Sequence, residues 1–258
     1  MKLQFLGTGA ADWGEYNPAN PDSRGFAAAL IDDKILIDCG PTIVTAIKHF
    51  GIDMDGLSDI LITHSHSDHF DLDLMRYLAE ARKASTPLNV CGPLPAVEQI
   101  NDLDLDIITT VLQPGDEVEI LGNKITALAA NHETQHQNEN ALHYFFDTPE
   151  NKNLLYALDG AWFTKPTWEF LWKKKLDCII WDFTIGDTSG DWRIFEHNSL
   201  EMLDVMTKTF KKEGVFHKDT QVLLSHMAKT LCSPREVLTS KLLPYGFRLA
   251  FDGDIFEV

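Results

Sequence analysis

Three imidazoles and one carboxylate crowd into the stretch Thr63-His64-Ser65-His66-Ser67-Asp68-His69, which follows the apolar run Ile60-Leu61-Ile62. In an extended stretch, side chains two positions apart point the same way, so His64 and His66 can grip one ion. If the chain then turns into a helix, Asp68 and His69 are carried to a neighbouring position. That arrangement suits two divalent ions held close together better than one. Imidazole and carboxylate without a nearby thiol suit zinc or manganese, with iron also compatible, and argue against a structural Cys-rich zinc site. A solvated, His-rich loop is the competing reading, and the spacing directly after a strand disfavours it.

The HxHxDH pattern in this setting resembles the signature of the metallo-β-lactamase superfamily. The resemblance implies further residues, found in the family's order over nearly the whole chain. Asp38 closes Ile35-Leu36-Ile37, precedes Cys39-Gly40, and matches the family's structural aspartate beneath the site. His132, in Ala130-Asn131-His132, matches the third ligand of the first ion, with His136 and His143 as alternatives. Asp159, in Tyr156-Ala157-Leu158-Asp159-Gly160, matches the carboxylate that bridges both ions. His226, in Leu223-Leu224-Ser225-His226, matches the last ligand of the second ion. The implied metal ligands are therefore His64, His66, Asp68, His69, His132, Asp159 and His226, with Asp68 also counted among the catalytic residues. Each outlying position has an ordinary reading too: a turn residue for Asp38 and Asp159, a packed histidine for His226.

The ligand types narrow the chemistry. Flavodiiron relatives usually carry Glu where this chain has His66, and bacterial β-lactamases a Cys where it has Asp159. The resemblance points instead to hydrolases of phosphodiesters, lactones or thioesters, working through a hydroxide activated by two metal ions. A proton is then needed for the leaving oxygen. His197 is the candidate general acid: it follows the aromatic-rich segment Trp192–Phe195 and precedes Asn198-Ser199, a helix-start signal. A surface histidine near a helix N-terminus is the plainer alternative. The sequence is most similar to the cyclic-phosphodiesterase branch associated with phosphonate breakdown. The likeness lies in Phe5-Leu6-Gly7-Thr8-Gly9, Asn131-His132, Ile180-Trp181-Asp182 and Gly246-Phe247-Arg248-Leu249-Ala250-Phe251-Asp252-Gly253. In that branch a histidine between the bridging Asp and the final His serves as proton donor, and His197 falls at a comparable place. One departure is clear. The branch's structural zinc site uses clustered cysteines in the first long loop and a later histidine. Here the loop Asp12–Arg24 has no Cys and the later position is Lys229.

A phosphodiesterase acting on small or cyclic phosphodiesters leads the functional readings. A lactonase or thioesterase on the same fold comes second, because metal ligands alone do not select phosphorus over carbon. A tRNA 3′-processing endonuclease shares GTG and HxHxDH, but that family's His-Glu-Ala-Thr is replaced here by Asp182-Phe183-Thr184. A non-catalytic metal-binding protein is the reading from a different class.

The elements that must position these residues follow from pattern. The chain has 258 residues, 44% hydrophobic and 24% charged, enough to bury a sizeable core. Apolar strand-like runs cover Leu3–Leu6, Phe26–Ile31, Lys34–Ile37, Ile60–Thr63, Asn89–Cys91, Val118–Ile120, Lys124–Ala129, Leu142–Phe146, Asn153–Ala157, Cys178–Trp181 and Gln221–Leu224, with two more at the end. Helical patterns cover Pro41–Phe50, Leu72–Lys83, Leu94–Ile100, Thr167–Lys174, Ser199–Lys211 and Pro234–Leu243. The expected fold is α/β, a four-layer αββα sandwich formed by a single hydrolase domain over residues 1–258. Thirty-nine acidic against 22 basic residues give a net charge of −17, which repels nucleic-acid polymers but permits a small anionic substrate once cations are bound. Four cysteines without a CxxC pair are expected to be reduced, mostly buried thiols in a soluble cytoplasmic protein with no membrane span. A homodimer is compatible with the sequence. The aromatics Trp162, Phe163, Trp168, Trp172, Trp181 and Trp192 are expected mainly in core packing or a dimer interface, with lining of a pocket for a base or ring as the alternative.

Overall fold

A computed structural model describes residues Met1–Val258. The chain divides into two compact units. The first comprises Met1–Gln113, Thr134–Leu142 and Phe251–Glu257, and the second Pro114–Glu133, His143–Ala250 and Val258.

In the first unit a seven-stranded mixed sheet is built from β1 (Lys2–Gly7), β2 (Ala28–Ile31), β3 (Ile35–Ile37), β4 (Asp59–Leu61), β5 (Leu88–Gly92), β6 (Ile107–Val111) and the chain's last strand, β14 (Ile255–Glu257). Their spatial order is β14-β1-β2-β3-β4-β5-β6. Pairing is antiparallel from β14 to β3 and parallel from β3 to β6. Each parallel step crosses over through a helix: α1 (Ile43–Phe50), α2 (Leu72–Ala81) and α3 (Leu94–Asn101). The α1 sequence buries Ile43, Ala46 and Ile47, one face at helical spacing, and stops at Gly51 in the left-handed conformation. Asp71 starts α2 by accepting a hydrogen bond from the Leu74 amide, which fixes the chain just after the histidine-rich stretch. Ile60, Ile62, Leu36, Ile43, Met75 and Leu78 meet in one buried cluster beneath that stretch.

The second unit repeats the plan. Its strands are β7 (Glu117–Ile120), β8 (Asn123–Ala129), β9 (Leu142–Asp147), β10 (Asn153–Ala157), β11 (Leu176–Asp182), β12 (Phe216–Ser225) and β13 (Phe247–Leu249). They lie in the order β13-β12-β11-β10-β9-β8-β7, with β10 to β13 parallel. Crossovers run through α4 (Lys165–Leu171), α5 (Leu200–Glu213) and α6 (Arg235–Leu242). Ser199 caps α5, Glu201 sits in its first turn, and Lys211 and Lys212 in its last, the charge order a helix dipole favours. Trp181 and Phe163 are buried and pack with Phe210, as the core reading of the aromatics expects. Trp162, Trp172 and Trp192 are exposed.

Two features differ from the sequence reading. β6 goes unrecognised there, and the two final strands join different sheets: β13 pairs with β12, and β14 with β1. All four cysteines are free thiols, and only Cys232 is partly exposed. No helix is long and apolar enough to cross a membrane.

Candidate metal centre

In the first unit, β4 ends at Leu61 and delivers Thr63, His64, Ser65, His66, Asp68 and His69 as an irregular segment before α2. Three anchors hold it. Asp38, buried and in the left-handed conformation at the end of β3, accepts hydrogen bonds from the Thr63 amide at 2.8 Å and from His69 Nδ1 at 2.8 Å. Glu139 accepts from the Ser65 amide and hydroxyl, both at 2.7 Å. Gly40 lies directly under the backbone of Asp68: a Cβ there would sit 1.9 Å from the Asp68 carbonyl oxygen, so only glycine lets the segment pass. Burial is the largest influence on Asp38 and raises its pKa, against the lowering effect of His69 and Thr63.

These anchors set the tautomers. With His69 Nδ1 donating to Asp38, its Nε2 carries the lone pair, and it lies 3.5 Å from Asp68 Oδ2. The Thr63 hydroxyl donates to Asp38 and can accept from His64 Nδ1 at 3.0 Å, so the lone pair of His64 is on Nε2. That Nε2 stands 3.0 Å from His66 Nδ1. Two donors bound tetrahedrally to one zinc-sized ion lie about 3.3 Å apart. The pairs His64–His66 at 3.0 Å and Asp68–His69 at 3.5 Å lie on either side of that spacing, so this donor set fits divalent cations.

In the second unit, the site residues again follow strand ends. Asp159 lies two residues past β10 and His226 immediately after β12, both in the left-handed conformation that non-glycine residues rarely adopt. Asp159 Oδ1 is 3.3 Å from His226 Nδ1 and 3.5 Å from His197 Nδ1. His132 follows β8, with its ring 5.2 Å from that of His197 and its Nδ1 3.9 Å from Glu196. Of the alternatives to His132, His136 is exposed. His143 is buried on β9 against Gly160, and burial pushes its pKa down to about 4.

At the centre of this half stands Asp182, the last residue of β11, fully buried. It accepts from the Asn198 amide at 2.8 Å, the Thr184 hydroxyl at 2.8 Å and His197 Nδ1 at 3.1 Å. The Thr184 oxygen also lies 2.7 Å from His226 Nδ1, so His226 donates there and keeps its lone pair on Nε2. Burial opposes ionisation of Asp182, but His197 and His226 outweigh it and hold the carboxyl below the ordinary range. Burial likewise opposes the charge on His197, but Asp182, with Asp159 behind it, raises its pKa. Donor atoms of Asp159, Asp182, His197 and His226 all fall within 4.8 Å of one another. Of these four, the sequence reading singles out Asp159, His197 and His226 but not Asp182, and it also misses the supporting Thr184 and Glu139. For Asp182, the signal was a carboxylate ending a buried apolar strand.

Comparison with known proteins adds to this geometry. Over 71 residues, 27% of this chain and 26% of the relative, the sequence is 42% identical to the anti-Pycsar protein Apyc1 of Saccharibacillus brassicae. Over 139 residues, 51% of this chain and 47% of the relative, it is 31% identical to ribonuclease Z of Methanopyrus kandleri. The matches thus span between a quarter and a half of these curated relatives. A crystal structure of a diphosphatase from the PhnP family superposes over 100% of this chain and 97% of its own, with a TM-score of 0.75 at 20% identity, and shows that the fold is shared. Residues 33–227 match the model of the Beta-lactamase superfamily domain, and on that match the chain belongs to the metallo-β-lactamase superfamily of metal-dependent hydrolases.

Proposed function

We propose that residues 1–258 work as one hydrolase domain that cleaves small or cyclic phosphodiesters. The residues that would hold two divalent cations are His64, His66, Asp68, His69, His132, Asp159 and His226. Zinc or manganese fits these nitrogen and oxygen donors. When bound, the two cations supply an activated water and offset negative charge on the substrate's oxygens.

The chain's own contribution is proton delivery. The observation that carries this reading is the buried Asp182–His197 pair, 3.1 Å apart beside Asp159. Asp182 fixes Nδ1 of His197 as the inward donor and supports the ring's positive charge. The outward Nε2 then gives its proton to the leaving oxygen as the phosphorus–oxygen bond breaks. An alkoxide leaving group needs that proton. The phosphoryl-cleaving names among the similar proteins, ribonuclease and diphosphatase, support phosphorus as the reacting centre. A net charge of −17 favours a small anion over a tRNA.

The test is a parallel panel with added Mn²⁺ or Zn²⁺. It sets bis(p-nitrophenyl) phosphate, cyclic nucleotides and a ribose cyclic phosphate against homoserine lactones and glutathione thioesters. Phosphodiesters should be turned over fastest. His197→Ala should lower kcat by about 10²–10⁴-fold where the leaving group is an alkoxide. The loss should be smaller for p-nitrophenolate, which leaves without help. Preference for the lactones or thioesters would reassign the substrate to carbon centres.

A further inference from the structure

The turn that leads into His197 carries an unusual load. A single 3-10 turn, Trp192–Phe195, presents Trp192 at 69%, Ile194 at 47% and Phe195 at 48% exposure. Exposed aromatic and aliphatic side chains massed on four residues are costly in water unless something covers them. The turn is also rigidly held. Asp191 caps it and accepts from Arg193 Nε at 2.8 Å and Nη2 at 2.9 Å. The Arg193 guanidinium lies 5.8 Å from the Trp192 ring. The Trp192 and Phe195 rings stand 5.7 Å apart, tilted by 32° to one another. Asn131, beside His132, donates to the Phe195 carbonyl at 3.2 Å, tying the turn to a second site residue. Two residues after Phe195 comes His197.

Resting on the phosphodiesterase reading, we propose that Trp192 and Phe195 form a stacking platform for a planar ring carried by the substrate, and that the preferred substrates are nucleobase-bearing phosphodiesters. A proton donor faces the leaving oxygen, so a platform two residues before it meets the organic part of the substrate rather than the phosphoryl group. Every base has a π-face, so stacking of this kind selects ring over no ring. The −17 charge and the Arg193–Asp191 pairing on the turn disfavour an anionic lipid surface as the occupant.

The experiment compares 3′,5′-cyclic AMP with a base-free ribose cyclic phosphate in the wild type, Trp192→Ala, Phe195→Ala and Trp192→Phe, with Trp172→Ala as an exposed-tryptophan control. The wild type should favour the base-bearing substrate in kcat/KM. Either alanine variant should cut that preference about tenfold, chiefly through KM, while Trp192→Phe keeps most of it. Equal losses on both substrates would mean the turn only positions His197, and would overturn the platform. AMP binding by calorimetry provides an arm independent of turnover. Binding weakened about tenfold by Trp192→Ala supports the platform even if neither cyclic substrate is cleaved, in which case only the underlying chemistry fails. AMP affinity equal in wild type and Trp192→Ala overturns it. So does Trp192-dependent co-sedimentation with phosphatidylcholine vesicles, which would assign the turn to a membrane surface.

Discussion

A histidine that delivers a proton needs its ring held and its charge supported, and a buried carboxylate at 3.1 Å supplies both to His197. The consequence is a pH dependence with a definite sign. Asp182 raises the His197 pKa above its ordinary 6.5 despite the opposing effect of burial, so the protonated ring persists to higher pH. Turnover of an alkoxide substrate should therefore fall along a basic limb above pH 6.5, and Asp182→Asn should move that limb to lower pH while reducing kcat. A pH profile of kcat/KM for both proteins measures this; a limb that stays in place would remove Asp182 from the proton-donating unit. At this scale the sequence was legible wherever type and spacing sufficed. His64 to His69 declare themselves in six residues. Asp182 does not, because its meaning comes from His197, 15 positions on, and from Thr184 and Asn198, which only the loop after β11 brings to it.

Strand ends are where the elements do their positioning. Asp38, Asp159 and His226 lie just past β3, β10 and β12, all with positive φ. Such backbone is strained for non-glycine residues and persists only where neighbours fix it. Gly40 shows how tightly the first unit's segment is fitted. Adding a methyl group there drives it into the Asp68 carbonyl, so Gly40→Ala should destabilise the fold by about 1–3 kcal/mol. Gly14→Ala, where nothing stands within 4 Å, should stay within about 0.5 kcal/mol of wild type. Urea unfolding of both variants checks the contrast, and equal effects would deny the close approach. The strands flanking these turns were readable because they are buried on both faces and run as continuous apolar segments. β6 was not. Its residues alternate between half-buried and exposed, two are threonine, and it follows an Asp-rich loop, so no apolar run marks it. Nor could pattern say that Phe247–Leu249 and Ile255–Glu257 belong to different sheets, since strand pairing depends on contacts far apart in the chain.

At the scale of the whole molecule, the sequence carried the fold through the order of its motifs rather than through overall similarity. A structure only 20% identical superposes along the full chain, whereas the 42% identical relative matches over 71 residues. What survives such divergence is the fold, which in this chain is a plan of antiparallel strands followed by parallel crossovers, repeated in each unit. The central claim is the proposal that the chain's histidines and aspartates, Asp159 among them, would hold two divalent cations. Its most direct measurement is elemental metal analysis of the purified chain beside its Asp159→Ala variant, with phosphodiester turnover read on the same samples. The account predicts about two equivalents of divalent metal in the wild type, about one or fewer in the variant, and loss of turnover with the second ion. An Asp159→Ala protein that keeps both its metal complement and its activity would contradict it.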